Sequence, residues 1–126
     1  MPTAKSLLGK RAEDLAVAEL KRRGYQVIET NYRCRWGEID IIAKDGETTA
    51  FIEVRSRRSN ETTYPAESIN KKKQTKLILT AQQFLTEHNL GSDCDCRFDV
   101  VEVRFERGKS VSVKVIQDAF GENSQR

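Results

Sequence analysis

A chain of 126 residues, 37% of them hydrophobic, fits one domain with a modest apolar core and needs neither disulfides nor a metal in order to fold. No run approaches the ~20 apolar residues of a membrane helix, and Met1-Pro2-Thr3-Ala4-Lys5 leads into no signal-peptide hydrophobic region, so a soluble, cytoplasmic protein is expected. The net charge of +3 covers 22 basic and 19 acidic residues, a mosaic that points to no partner until the charges cluster.

From residue 6 to 23 apolar residues recur at Leu8, Ala12, Leu15, Ala16 and Leu20, the spacing of an amphipathic helix with Ser6 as N-cap and Gly24 as its C-terminal stop. Glu13 falls at the edge of this stripe and Asp14 points to solvent. A solvated charge is the plain reading of Glu13, although Gly9, one turn earlier, leaves room for a ligand or a close backbone.

Residues 25–30 read as a first strand. The organising stretch follows: Trp36-Gly37-Glu38-Ile39-Asp40-Ile41-Ile42-Ala43, a polar turn Lys44-Asp45-Gly46-Glu47, and Thr49-Ala50-Phe51-Ile52-Glu53-Val54-Arg55-Ser56-Arg57. Two β-branched and aromatic runs around Asp-Gly signal a hairpin. Side chains alternate along a strand, so Glu38 and Asp40 share one face of the first run, and Phe51, Glu53 and Arg55 one face of the second. A turn centred on Asp45-Gly46 sets Asp40 opposite Phe51 and Glu38 opposite Glu53, with Asp40 and Glu53 diagonal neighbours roughly 7–8 Å apart. Two carboxylates so placed share one divalent cation, with the Ile52 carbonyl as a further ligand; a one-residue slip in register separates them.

Beyond the hairpin lies a polar, basic loop ending at Tyr64-Pro65, then a second helix over about 68–88 with Ile69, Leu77, Ile78, Ala81, Phe84 and Leu85 on its apolar face. Its first half carries Lys71, Lys72, Lys73, Gln74 and Lys76. A charge run on a helix is usually a solvated face, but Arg57 and Arg58 stand just upstream, and together these residues form a basic rim suited to a phosphate backbone. Residues 97–105 and 110–116 read as fourth and fifth strands, with a frayed tail from Gly121. Of the three cysteines, an odd number, Cys94-Asp95-Cys96 lacks the second ligand pair of a zinc site, since His88 is the one histidine; free thiols are expected.

This order predicts an α/β fold, a mixed central sheet flanked by helices, as a single domain over 1–126 with its core at about 6–117. Gly37-Glu38-Ile39-Asp40, then Glu53-Val54-Arg55, with Glu13 on a preceding helix, resemble the PD-(D/E)xK nuclease superfamily, which has the restriction endonuclease fold. More narrowly, Gly9-Lys10-Arg11-Ala12-Glu13-Asp14-Leu15-Ala16, Asn31-Tyr32-Arg33, Gly37 to Ala43, Phe51 to Arg55 and Arg97-Phe98-Asp99-Val100-Val101 resemble the bacterial YraN, or UPF0102, family over about residues 9 to 116. Among superfamily members the nearest analogy is the archaeal Holliday junction resolvases, which are dimers.

The resemblance implies an α-β-β-β-α-β core and a metal-dependent phosphodiesterase site acting on nucleic acid, DNA foremost. Asp40 and Glu53 would bind Mg²⁺ or Mn²⁺, Glu13 would complete the cluster through water, and Arg55 would take the basic position of the motif. Gln74 would hydrogen-bond a phosphate or hold the site together, and Arg57, Arg58, Lys71, Lys72 and Lys73 would line the nucleic acid. Arg55 departs from the superfamily's lysine: a guanidinium does not give up its proton in a protein, so an arginine cannot serve as a base. Metal-bound water then works without a protein base, or Lys71 or Lys73 substitutes, or the protein binds nucleic acid without cutting it. The readings left open are a structure-selective DNA endonuclease, homodimeric if it cuts two strands symmetrically, a non-catalytic nucleic-acid-binding module, and an assembly factor.

Overall fold

The computed structural model describes residues 4–58, 69–91, 94–106, 108 and 110–120. Their order is α1 (Ala4–Arg22), β1 (Gln26–Cys34), β2 (Gly37–Asp45), β3 (Thr48–Arg58), α2 (Lys71–Glu87), β4 (Cys96–Phe105) and β5 (Val111–Phe120). The expected α/β fold with a mixed sheet flanked by helices is the one observed. Its five strands lie side by side in chain order. All neighbours are antiparallel except β3 and β4, which run parallel because α2 carries the chain back between them.

Each helix covers one face of the sheet. Ala12, Ala16 and Leu20 of α1 pack with Ile41, Ala43, Ala50, Ile52, Val101 and Val103. Leu77, Ala81 and Phe84 of α2 pack with Ile42, Phe51 and Val100 on the other face. The central strands are buried on both sides, so β2, β3 and β4 are nearly continuous apolar runs.

Helix α1 stops where the sequence indicates. Gly24 has φ +95°, its N–H donates to the Lys21 carbonyl and the Tyr25 N–H to that of Leu20, a Schellman ending in which the buried Leu20 and Tyr25 also meet. Glu13 is half-buried and Asp14 exposed, as its wheel position requires. The helix already runs from Ala4, so Ser6 lies within it and is not the expected N-cap. Helix α2 begins later than expected, at Lys71, because the Asn70 side chain accepts from the Lys73 N–H at 2.8 Å and caps it. Ile69 therefore precedes the helix, although it is buried with the α2 cluster. The first strand runs on to Cys34, and β5 reaches Phe120 because the ladder between β4 and β5 is irregular around Phe98 and Val100 and Asp118 adopts φ +53°.

The hairpin register corrects the expected one. Asp45 pairs with Thr48, Ala43 with Ala50, Ile42 with Phe51 and Ile41 with Ile52. The turn is Gly46-Glu47, not Asp45-Gly46: Gly46 takes the first loop position at φ +62°, where a two-residue turn favours glycine. Every expected pairing shifts by two residues, so Phe51 pairs with Ile42 and not with Asp40. Asp40 also does not share a face with Glu53 as expected: it lines a cleft with Ala12 and Glu13 of α1, whereas Glu53 turns to Lys73 of α2.

Candidate functional site

The paired ladder between β2 and β3 stops at Ile41 and Ile52, and Asp40 is the next residue of β2. Simple alternation also fails here, because Ile39 and Ile42 both pack on the α2 face while Ile41 packs on the α1 face. Asn31 of β1, which lies between the Thr30–Ile41 and Tyr32–Ile39 pairs, has φ +55°. Asparagine tolerates this left-handed conformation better than most residues.

The Asp40 carboxylate stands in the gap so formed. The Val54 N–H donates to its Oδ2 at 2.8 Å, so the side chain takes the place of the carbonyl that an unbroken ladder would have offered. Asp40 also lines a cleft of about 170 Å³ with Gly9, Ala12, Glu13, Val54 and Ser56. Gly9 and Glu13 of α1 thus meet the hairpin where the sequence placed room for a ligand. Glu13 accepts from the Asn31 side-chain amide at 2.6 Å.

Glu53 is 8% exposed and reaches the α2 face, where Lys73 Nζ donates to its Oε1 at 2.7 Å. Arg55 Nε lies 4.0 Å from the same oxygen. Burial, and next the neighbouring Glu53 carboxylate, push the Asp40 pKa from 3.8 up to about 7, against the Val54 hydrogen bond that pulls it down; Glu13 and Glu38 add to the rise. Asp40, Glu53 and Glu13 therefore share one electrostatic neighbourhood. They are tied to different partners, and among the described residues no three His, Cys, Asp or Glu side chains are gathered as a ready-made metal shell.

The basic residues divide. Lys71 and Lys72 are exposed on the first turn of α2 and Arg58 is exposed at the end of β3, where its carbonyl accepts from Arg104 Nη1 at 3.0 Å. Arg57 donates to the Ser56 carbonyl at 3.1 Å. Lys73 is drawn into the acidic site. Gln74 donates to the Ile69 carbonyl at 2.9 Å, so it fastens the approach to α2. Of the basic loop expected over 56–65, residues 56–58 belong instead to the end of β3, and 59–65 lie outside the described residues.

The sequence reading passed over a second polar cluster at the hairpin's far end. Asp99, fully buried, accepts from Arg97 Nε at 2.8 Å and from the Asp118 N–H at 2.9 Å. Arg97 Nη2 also donates to Asp45 at 2.9 Å and to the Tyr25 hydroxyl at 2.8 Å. The Asp99 hydrogen bonds hold the Arg97 guanidinium still more firmly charged. The available signal was an aspartate inside an apolar strand with an arginine two residues before it, on the same face. This cluster ties β2, β4 and β5 together. Cys34, Cys94 and Cys96 are free thiols, as expected.

These features define a mixed α/β domain with a carboxylate cluster at a fork between its central strands and a lysine-rich helix beside it. The model of a family described as "Uncharacterised protein family UPF0102" matches residues 12–103, and the chain belongs to this family. It is 42% identical over 124 residues to a UPF0102 protein of Chlorobium chlorochromatii, covering 94% of this chain and 95% of that one. A UPF0102 protein of Caldicellulosiruptor saccharolyticus is 41% identical over 114 residues, 90% of this chain and 96% of its own. One from Pseudomonas aeruginosa is 42% identical over 113 residues, 89% and 90% of the two chains. No helix among the described residues is long and apolar enough to cross a membrane.

Proposed function

We propose that this protein is a Mg²⁺- or Mn²⁺-dependent nuclease that hydrolyses phosphodiester bonds in DNA, with branched DNA of the Holliday junction kind as the foremost substrate. The observation that carries the reading is Asp40 held at about 7 beside Glu53. A carboxyl whose ionisation is opposed first by burial and next by a neighbouring carboxylate is an arrangement that a divalent cation relieves. The donors fit: Asp40, Glu53 and Glu13 supply hard oxygen ligands, which Mg²⁺ prefers. When bound, the ion would offset charge on the phosphate oxygens and acidify a water.

The chain's own residues have separate tasks. Asp40 and Glu53 hold the cation, and Glu13 acts through water from α1. Lys73, whose Nζ already lies 2.7 Å from Glu53, would substitute for the superfamily's strand lysine, since an arginine is suited to binding phosphate and not to acting as a base. Lys71, Lys72, Arg57 and Arg58 hold the flanking backbone. Symmetric cutting of both strands calls for a homodimer with two such sites. The Lys73–Glu53 ion pair also supports a second reading, a nucleic-acid-binding module that does not cut, because it neutralises Glu53 without metal.

The test is cleavage of labelled four-way junctions, flaps, duplexes and single strands with Mg²⁺ or Mn²⁺, by wild type, Glu53→Ala and Lys73→Met. Products that need metal and disappear in Glu53→Ala are expected. If nothing is cut and Glu53→Ala binds the same DNAs as well as wild type, the catalytic reading fails and the binding module stands.

A further inference from the structure

We infer that Trp36, at the tip of the β1–β2 hairpin, is a stacking platform for an unpaired nucleobase of the nucleic acid whose backbone reaches the acidic fork. The inference rests on the nucleic-acid reading above but not on cleavage.

Trp36 is the only tryptophan of the chain. Cys34 pairs with Gly37, so Arg35 and Trp36 form a two-residue turn. Such a turn needs no large ring, and Tyr25, Tyr32, Phe51, Phe84 and Phe120 are all buried, whereas Trp36 is 38% exposed. The Arg35 guanidinium lies 4.5 Å above its ring, a cation–π contact that holds the indole and covers one face. The indole therefore offers a flat, aromatic face at the hairpin tip, a surface on which a planar ligand can stack.

Its surroundings indicate the partner. A methyl group at Gly37 would lie 3.4 Å from Thr80 Oγ1 and 3.9 Å from Lys76 Cβ, so the tip abuts the lysine ridge of α2. One turn earlier on that ridge, Lys73 reaches Glu53. Seven residues of helix, from Lys73 to Thr80, span about 10 Å, and three residues of strand, from Gly37 to Asp40, also span about 10 Å. That equals about three steps of a stacked nucleotide strand. The exposed Lys76 and Arg35 make the path between the two points positive, while Glu38 is taken up by Arg33 at 2.6 Å. An indole with a guanidinium on one face, three base steps from a carboxylate cluster along a cationic ridge, suits a base that has left its duplex, and bases in single strands and at branch points are the ones free to stack.

The single tryptophan makes the test direct. The full chain is titrated with oligothymidylate, oligouridylate and a blunt duplex of equal length at one salt concentration, following Trp36 emission. Affinities of Trp36→Ala and Trp36→Phe for the labelled oligomers are measured by anisotropy. Single strands should quench the emission well beyond the duplex. Trp36→Ala should bind them roughly 5- to 150-fold more weakly, the worth of one stacked base, with Trp36→Phe near wild type and duplex affinity changed far less. Equal effects with the two single strands mean that neither the 2′-hydroxyl nor the thymine methyl group matters to the stack, and a preference is assigned to the sugar by repeating the titration with oligodeoxyuridylate. Single strands that bind without changing the emission, or an alanine variant that binds like wild type, overturn the inference while leaving the nuclease reading intact. Quenching in a protein that never cuts does the reverse, and failure to bind any single strand overturns the inference, while the nuclease reading is decided separately by cleavage of the four-way junctions.

Discussion

Replacing Asp40 by asparagine isolates the energetics of the fork. The carboxamide still offers an oxygen to the Val54 N–H, so the sheet keeps its substitute ladder bond while the charge disappears. Asp40 ionises at about 7 in the folded chain against an ordinary 3.8, so between those values the folded state holds a proton that the unfolded state has released. Stability therefore falls as pH rises through this window, and at higher pH the full cost of the buried charge is present. At ~1.4 kcal/mol per pH unit the ceiling is about 4 kcal/mol. Relaxation of the fork and entry of water bring the expected gain for Asp40→Asn to about 1–3 kcal/mol at about pH 8, roughly a third of that near pH 5, and little below pH 3.8. Urea denaturation of both proteins across this range measures it. A gap that does not change with pH, or a variant less stable than wild type at the upper end, would refute the reasoning. Mg²⁺ provides a further arm: if Asp40 helps to bind it, a tenfold excess over the dissociation constant stabilises wild type by about 1.4 kcal/mol and the asparagine variant by less.

Two more outcomes follow from the ion pairs. Lys73→Met leaves the buried Glu53 without its 2.7 Å partner and should cost about 1–3 kcal/mol by chemical denaturation, the half-exposed lysine head keeping the loss below that of a fully buried pair; under about 0.5 kcal/mol, the contact is incidental. Arg97→Ala strands the fully buried Asp99 and should cost roughly 3–5 kcal/mol. Arg97→Lys, which keeps the charge but not the planar fork, should lose less, and adding Asp99→Asn to Arg97→Ala should recover part of the thermal stability.

The parts that the sequence made legible were those where one local rule governs the outcome. The apolar spacing and Gly24 define α1, and alternating β-branched runs around a glycine define the hairpin. The turn was misplaced because Asp45-Gly46 and Gly46-Glu47 both satisfy the composition rule, and only the ladder on either side distinguishes them. The departure of Asp40 from strand alternation could not be read from β2, since it accompanies the left-handed Asn31 on the neighbouring strand. Glu13 was left between solvent and site by its helical position, because only the packing of α1 on the hairpin shows that it is half-buried and shares a cleft with Asp40. Lys73 sat in a run of look-alike lysines, and only the packing of α2 distinguishes the one that meets Glu53.

The bond between the Val54 N–H and the Asp40 carboxylate has a consequence for how variants at position 40 are interpreted. An alanine there would remove a proposed metal ligand and simultaneously orphan a backbone donor inside the sheet, so an inactive Asp40→Ala protein would confound lost chemistry with a damaged scaffold. A lineage that abandoned catalysis would still be under pressure to keep an acceptor at this position, and a retained aspartate or asparagine is therefore ambiguous testimony about activity. Glu53, whose known partners are side chains, carries no such double duty, and its fate is the cleaner witness.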